Sequence, residues 1–230
     1  MDTATVRELL ERQVTAFTSA PAFAELESGK AEYDAFIENV ARTHLQSPQL
    51  VAFLYALAPP AAVPDLLENL LEETGRKRPL ERARAHPQLL EELLVAAGLA
   101  DRLPTIRAQA EDDLRRLVTE PLLYGTLRDV GLAALTEIVA FELMLSRLAG
   151  RIAAALATHR GLPARALEWF THHSEVDVRH AEQGLENLAT YVGYYGIGDD
   201  EALAIIETSL REDVFARRYF RAPKAAEPRR

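Results

Sequence analysis

Apolar residues recur at three- and four-residue intervals along most of this 230-residue chain. That spacing places them on one face of an α-helix, and no segment alternates polar and apolar residues clearly enough to predict a strand. We therefore predict one all-α domain over residues 1–220 and a disordered, Pro-containing tail at 221–230. The predicted helices span 2–19, 31–46, 48–58, 63–74, 86–98, 103–117, 122–159, 163–192 and 199–219, with Gly131 as a candidate break in the long seventh stretch.

The composition limits the chemistry that the chain can perform. It contains no cysteine, which excludes disulfides, thiolate zinc sites, iron–sulfur clusters and a Cys nucleophile. Any metal must therefore be held by His, Asp and Glu, a donor set that suits iron, manganese or zinc. The net charge of −9 argues against non-specific nucleic-acid binding, because such binding needs clustered Lys and Arg.

Nothing in the sequence indicates a membrane or a secretory route. No apolar run approaches the roughly 20 residues that a membrane span needs. Residues Met1–Arg12 are charged and amphipathic and lack the apolar stretch of a signal peptide. We therefore expect a cytoplasmic protein with no membrane and no nucleic acid among its partners.

The most informative motif is His173-x-x-x-Asp177-x-x-His180, inside the predicted helix 163–192. Because successive residues advance about 100° around a helix, these three side chains share a stripe about 60° wide. Nearby apolar residues such as Phe170 indicate that the stripe faces inwards. A buried carboxylate between two imidazoles is costly unless something compensates its charge. A metal ion would do so, and a buried His–Asp hydrogen-bonded pair is the alternative interpretation.

A second group lies where the helix 63–74 ends and the next helix begins. Glu72 and Glu73 stand near the negative end of the helix dipole, which is locally unfavourable. His86 opens the next helix beside Pro87, a residue suited to a first turn. The two acids indicate either a functional role or a solvated helix end, and the pattern does not decide between Glu72 and Glu73.

A third group lies in the middle of the chain. Glu142 stands between Phe141 and Leu143 in a strongly apolar stretch, where full solvation is hard to arrange. Glu137 lies about 140° away around the same helix, so both acids cannot face one centre. Arg147 could support an acid or bind a substrate carboxylate, or it could pair on the outside of the bundle.

The remaining three histidines receive no role from the sequence. We expect His172 to point away from the site, because it is one 100° step from His173. His44 and His159 have no partners in the sequence pattern and are expected at the surface or between helices.

Together these positions resemble the heme-oxygenase-like diiron oxidases. That family has a Glu near a helix end, a His opening the next helix, a mid-chain Glu and a late His-x3-Asp-x2-His. The resemblance spans roughly residues 20–190 and is strongest to the p-aminobenzoate-making branch, which includes a chlamydial protein named for associating with death domains. The matching pieces are Asn69-Leu-x-x-Glu73, His86 with Leu89, Phe141-Glu142-x-x-Leu-x-Arg147 and Phe170-Thr-His-His173-Ser-Glu-Val-Asp177-Val-Arg-His180.

The resemblance implies a heme-oxygenase-like bundle of about seven main helices and selects Glu73 over Glu72 and Glu142 over Glu137. It implies two Fe ions, or a Mn/Fe pair, with O2 as cosubstrate and an electron donor as partner. The expected reaction is the oxidation or oxygenation of a small organic substrate such as an amino acid, an amine or a fatty acid. The implied metal ligands are Glu73, His86, Glu142, His173, Asp177 and His180, with Phe141, Met144, Phe170 and Arg147 expected around the metals and the substrate.

The chain also departs from its nearest branch. That branch consumes a Tyr and uses a Lys of its own chain, whereas those positions fall here at Ala22 and at Arg151 or Ile152. The self-sacrificing reaction is therefore not carried over. No His precedes His44, which argues against heme, and no Glu-x-x-His is present, which argues against a ferritin-like site. A non-catalytic helical interaction protein and a cofactor-free oxidase of the same fold stay open, as does a homodimer.

Overall fold

The computed structural model describes residues 1–78, 81–119, 125–211 and 214–221. The predicted all-α fold class is confirmed, because helices account for nearly all the regular structure in these ranges. The α-helices are α1 (Thr3–Ser19), α2 (Pro21–Ser28), α3 (Tyr33–His44), α4 (Ser47–Leu57), α5 (Val63–Glu73), α6 (His86–Ala96), α7 (Leu103–Thr119), α8 (Leu127–Arg160), α9 (Glu168–Tyr194), α10 (Asp199–Ser209) and α11 (Val214–Tyr219). Short 3-10 turns occur at Ala100–Arg102 and Ala164–Leu167.

Helices α8 and α9 form the most extensive helix pair in the described structure. A capping box fixes the start of α8: the Thr126 side chain accepts a hydrogen bond from the Asp129 amide, and the Asp129 carboxylate accepts one from the Thr126 amide. The helix ends at Gly161, whose φ of 69° is the left-handed conformation that glycine adopts easily. The other helices pack around this pair, and every α-helix contributes to one apolar core.

Two glycines allow α8 and α9 to approach closely. A Cβ on Gly131 of α8 would lie 2.1 Å from the Tyr191 hydroxyl of α9, and that hydroxyl donates a hydrogen bond to the Arg128 carbonyl. A Cβ on Gly184 of α9 would lie 2.5 Å from a methyl carbon of Val139. Helix α8 therefore runs unbroken through Gly131, and the break considered there is wrong. Close packing, and not helix termination, explains this glycine.

The structure differs from the predicted helix boundaries in two further places. Helix α2 was not predicted, because its eight residues bury only Phe23 and Leu26 and so give no clear periodicity. The predicted helix 199–219 is divided into α10 and α11. Leu210 and Val214 continue the apolar pattern across the division and are both buried, so the pattern looks continuous in the sequence.

A short β-ribbon connects α5 to α6. Strand β1 (Arg76–Arg78) pairs antiparallel with β2 (Glu81–Arg82), so the expectation of no strand is wrong at this point. Strands of two and three residues are too short to show an alternating pattern. Gly75 precedes the ribbon with a φ of 72°, and a Cβ there would lie 2.5 Å from the Ala83 carbonyl oxygen. The ribbon reverses the chain and brings the start of α6 beside the end of α5.

None of the described helices is both long enough and apolar enough to cross a membrane. The tail predicted at 221–230 lies, apart from Arg221, outside the described residues.

The glycine packing gives a stability prediction. Gly131→Ala is expected to destabilise the protein by about 2 kcal/mol, because its Cβ would displace Tyr191 from α8. Gly150→Ala, at an exposed position of the same helix with nothing within 4 Å of the new Cβ, is the matched control. It is expected to stabilise by about 0.5–1 kcal/mol through helix propensity alone. Urea unfolding of both variants measures the difference, and similar effects would show that α9 tolerates a Cβ at Gly131.

Candidate metal centre

Three buried side chains from three helices converge at the centre of the molecule. Glu73 ends α5, His86 begins α6 and His173 lies in the second turn of α9. Each offers one donor atom, and these three atoms lie within 4.8 Å of one another. A carboxylate oxygen of Glu73 is 3.1 Å from Nδ1 of His86. The ribbon after α5 makes this approach possible, because it returns the chain directly to Glu73.

Hydrogen bonds hold two of these groups in place. The Ser47 hydroxyl donates to the second carboxylate oxygen of Glu73 at 2.5 Å. Nδ1 of His173 lies 2.6 Å from the Trp169 carbonyl oxygen. A carbonyl can only accept, so Nδ1 of His173 carries the proton and Nε2 of the neutral ring keeps its lone pair. This orientation is common for histidine ligands of metals.

A second group of acids surrounds His180, one helix turn after Asp177 on α9. The two ring nitrogens of His180 face different acids: Nε2 lies 3.2 Å from Glu72, and Nδ1 lies 3.6 Å from Asp177. Glu142 of α8 accepts a hydrogen bond of 2.8 Å from the Asn69 side-chain amide. One oxygen of Glu142 would be 3.4 Å from a Cβ at Gly184, so the small residue also allows this acid to lie against α9.

Several donor atoms in these two groups are buried without a hydrogen-bond partner among the described residues. They are Oε2 of Glu72, Nδ1 of His86 and Oδ2 of Asp177. Two of them lie close to an oppositely charged group but lack hydrogen-bond geometry. Buried polar atoms are normally satisfied, and lone pairs left over in a set of His, Asp and Glu side chains suit a divalent metal ion. The residues present therefore fit a metal centre.

Burial strongly shifts the pKa values of this cluster. It raises the pKa of Glu142 to about 8, with a further contribution from the charge of Asp177. It also raises the pKa of Asp177 to about 7. Burial would lower the pKa of His180, but contacts with Asp177 and Glu72 outweigh it and raise that pKa to about 10. The pKa of His173 is held well below 6.5 by burial and by nearby His86. Burial therefore disfavours the charged forms of Glu142, Asp177 and His173, whereas the neighbouring acids favour the charged form of His180.

All six predicted ligands line a single cavity of about 340 Å³. This volume is near the lower end for small-molecule sites. Phe141 lines the cavity with them, whereas Met144 and Phe170 are fully buried in the surrounding core and do not reach it. Arg147 lies outside, since it is half exposed and pairs with Glu11 at 2.6 Å. Its 140° offset from Glu142 turns it to the exterior of the bundle.

The sequence left two choices between acids, Glu137 or Glu142 and Glu72 or Glu73, and the structure treats the two pairs differently. Glu137 pairs with Arg218 through contacts of 2.5 and 2.9 Å, at a distance along α8 from the centre. Glu72 and Glu73, in contrast, both reach the cluster, and Glu72 contacts His180. The last turn of α5 directs consecutive side chains to the two sides of the centre. The placement of both acids against the helix dipole was the only sequence signal for Glu72.

Two histidines without a predicted role also lie here. His44 is buried, lines the cavity and has Nε2 2.7 Å from the Tyr219 hydroxyl. Its position between helices is therefore as expected, but it is not at the surface. The ring of His172 is 5.3 Å from that of His86, but His172 is not among the residues that line the cavity. The start of α6 lies close enough to α9 to meet both His172 and His173.

Fold and site together define a helical protein with a buried histidine and carboxylate centre beside a small cavity. The sequence model of one family, described as iron-containing redox enzymes, matches residues 34–204. The chain belongs to this family, and the heme-oxygenase-like fold class predicted from the motifs is confirmed. The match includes all six predicted ligands and Glu72. A search of curated proteins found no significant match.

The buried acids give a prediction for the metal-free protein. Glu142→Gln is expected to raise its unfolding temperature by about 3 °C or more at pH 8, because Gln keeps the acceptor for Asn69 and removes a buried charge. The folded pKa of Glu142, about 8, lies above the unfolded value of about 4.3. The wild type therefore loses stability as the pH rises between these values, so the advantage of the variant grows from pH 5 to pH 8.

Thermal unfolding in the presence of a chelator measures this effect. Glu137→Gln is the matched control on the same helix, and it is expected to lose stability because Arg218 loses its charged partner. A Glu142→Gln variant no more stable than wild type at pH 8 would show that burial of this carboxylate is not costly.

Proposed function

We propose that the protein is an O2-activating, non-heme dimetal oxidase or oxygenase that binds two Fe ions, or one Mn and one Fe. The observation that carries the proposal is the compact group of Glu73, His86 and His173 beside a second set of contacts, between His180 and the acids Glu72 and Asp177, with unpartnered buried atoms in both sets. One metal ion would satisfy only one of these groups. Membership of an iron-containing redox family supports iron as the metal.

The ligands divide between the two ions according to their contacts. Glu73, His86 and His173 would hold the first ion, since their donor atoms already lie together. Asp177 and His180 would hold the second, and we add Glu72 because it contacts His180. The Glu142 carboxylate of α8 lies against Gly184 of α9 and would supply a further oxygen donor to the centre.

Two reduced iron ions in this position would supply the electrons that activate O2, and an external electron donor would restore them. The chain's own residues bind and orient the ions, and its apolar core keeps water away from the reacting groups. Phe141 lines the cavity beside Glu142. The Trp169 carbonyl holds the proton on Nδ1 of His173 and keeps Nε2 free as a donor to the ion. The substrate would be a small organic molecule that fits the cavity.

Two other functions are less consistent with the site. A helical interaction protein gains nothing from burying Glu73 and Asp177 or from leaving Oδ2 of Asp177 without a hydrogen-bond partner among the described residues, since buried acids cost stability. A cofactor-free oxidase of the same fold would have no use for two adjoining sets of metal-binding side chains. Metal content separates these alternatives.

Anaerobic loading with Fe(II), followed by removal of free iron and metal analysis, tests the proposal. Wild type is expected to retain about two iron ions per chain, as a two-metal site requires. His173→Ala and His180→Ala remove one nitrogen donor from different groups, so each should lower retention to about one ion. The double variant is expected to retain almost none. The iron-loaded wild type should also consume O2 when it is exposed to air.

His159→Ala is the control, because His159 lies away from the cavity and contacts the Glu27 carbonyl oxygen. It should retain as much iron as wild type. Retention of about one ion or fewer by wild type, or equal retention by all the variants, would contradict the dimetal proposal. Retention of two ions without any O2 consumption would contradict the oxidase proposal alone.

A further inference from the structure

The cavity has a second charged end, opposite in sign to the metal ligands. Its wall there includes Arg42 of α3, Arg218 of α11 and Arg221, which follows α11. Two acids, Asp113 and Glu137, share this end. Three guanidinium groups thus face two carboxylates inside a protein whose net charge is −9. Such a local excess of positive charge at a cavity wall attracts an anion.

The ion pairs at this end leave Arg221 as the surplus cation. Arg42 donates two hydrogen bonds of 2.7 Å to Asp113, one to each oxygen. Arg218 donates two to a single oxygen of Glu137. Arg221 has only a 3.8 Å approach to Asp113, and its guanidinium donates no hydrogen bond to any described residue. A fourth cavity arginine, Arg116, already pairs with Asp112.

The pKa of Arg221 agrees with its position as the surplus cation. Burial lowers the pKa of Arg221, and the positive charge of Arg42 lowers it further. Asp113 opposes these effects without cancelling them. The charged form of Arg221 is therefore disfavoured by its surroundings, and a bound anion would stabilise it.

The distance between the two ends of the cavity can be measured along helix α8. Glu137 lies at the arginine end, where it pairs with Arg218, and Glu142 lies at the metal end, five residues further along. At 1.5 Å per residue this is about 7.5 Å along the helix axis. Between these two positions of α8, the apolar residues Ile138 and Phe141 line the cavity. A short molecule could thus place an anionic head at one end and its apolar body beside the metal ligands.

We propose that the substrate is a small carboxylic acid with an apolar body, whose carboxylate binds Arg221 together with the free guanidinium nitrogens of Arg42 and Arg218. Planar guanidinium groups match the geometry of a carboxylate. A carboxylate-binding end would exclude amines without a carboxylate, one of the three substrate classes that the family resemblance implies. That the apolar body reaches reacting metal ions rests on the proposed function, whereas carboxylate binding itself does not.

Calorimetric titration with hexanoate, hexanamide and norleucine tests the proposal, using both iron-loaded and iron-free protein. Hexanoate is expected to bind at least about tenfold more tightly than hexanamide, because only the former carries the charge. Arg221→Gln should abolish most of this preference. Comparison of hexanoate with norleucine distinguishes a simple acid from an amino acid as the source of the carboxylate.

Two further variants make the result specific. Arg147→Gln removes an arginine that pairs outside the cavity and should keep the full preference for hexanoate. Arg218→Gln combined with Glu137→Gln removes a charge pair without leaving either partner alone, and it should weaken hexanoate binding several-fold. Equal binding of hexanoate and hexanamide by wild type, or an unchanged preference in Arg221→Gln, would overturn the proposal. If iron loading fails but the preference persists, only the dimetal function is lost.

Discussion

The close packing of α9 against α8 determines where the centre can form. Gly131 and Gly184 remove the side chains that would separate these helices, so Glu142 of α8 lies against the helix that carries Asp177 and His180. The ribbon after α5 adds the remaining groups, because it reverses the chain between Glu73 and His86. Residues far apart in sequence are thereby held on rigid helices, and a metal site needs this rigidity to keep its ligands in place.

The same packing has an energetic cost. Several acids and histidines are buried together, and burial raises the pKa of Glu142 and of Asp177 well above their ordinary values. Groups like these lower the stability of the folded chain unless a ligand compensates them. Divalent ions bound only by the folded state would return that stability through binding. We infer that the fold is adapted to the metal-bound state, with the arginine end of the cavity providing the opposite charge for a substrate.

The sequence predicted the helical class and most helix positions, because α8 and α9 are long and strongly periodic. Acids and histidines in apolar helices are conspicuous, and the family resemblance selected among them the six predicted ligands, which all line the cavity. Glu72 was set aside because the family resemblance selects Glu73, yet the structure brings both acids to one centre from two sides. Arg218 and Arg221 could not be predicted at the cavity, because their position depends on how the last helix packs against α3 and α8. Long-range packing of this kind leaves no periodic signal.

In the proposed function, two metal ions bind side by side between α5, α6, α8 and α9. Anomalous X-ray diffraction at the iron edge, from crystals grown with Fe(II) in the absence of air, tests it most directly. We expect two iron peaks about 3.5–4 Å apart, one contacting Glu73, His86 and His173 and the other contacting Asp177 and His180. A single peak, or iron bound away from these residues, would contradict it.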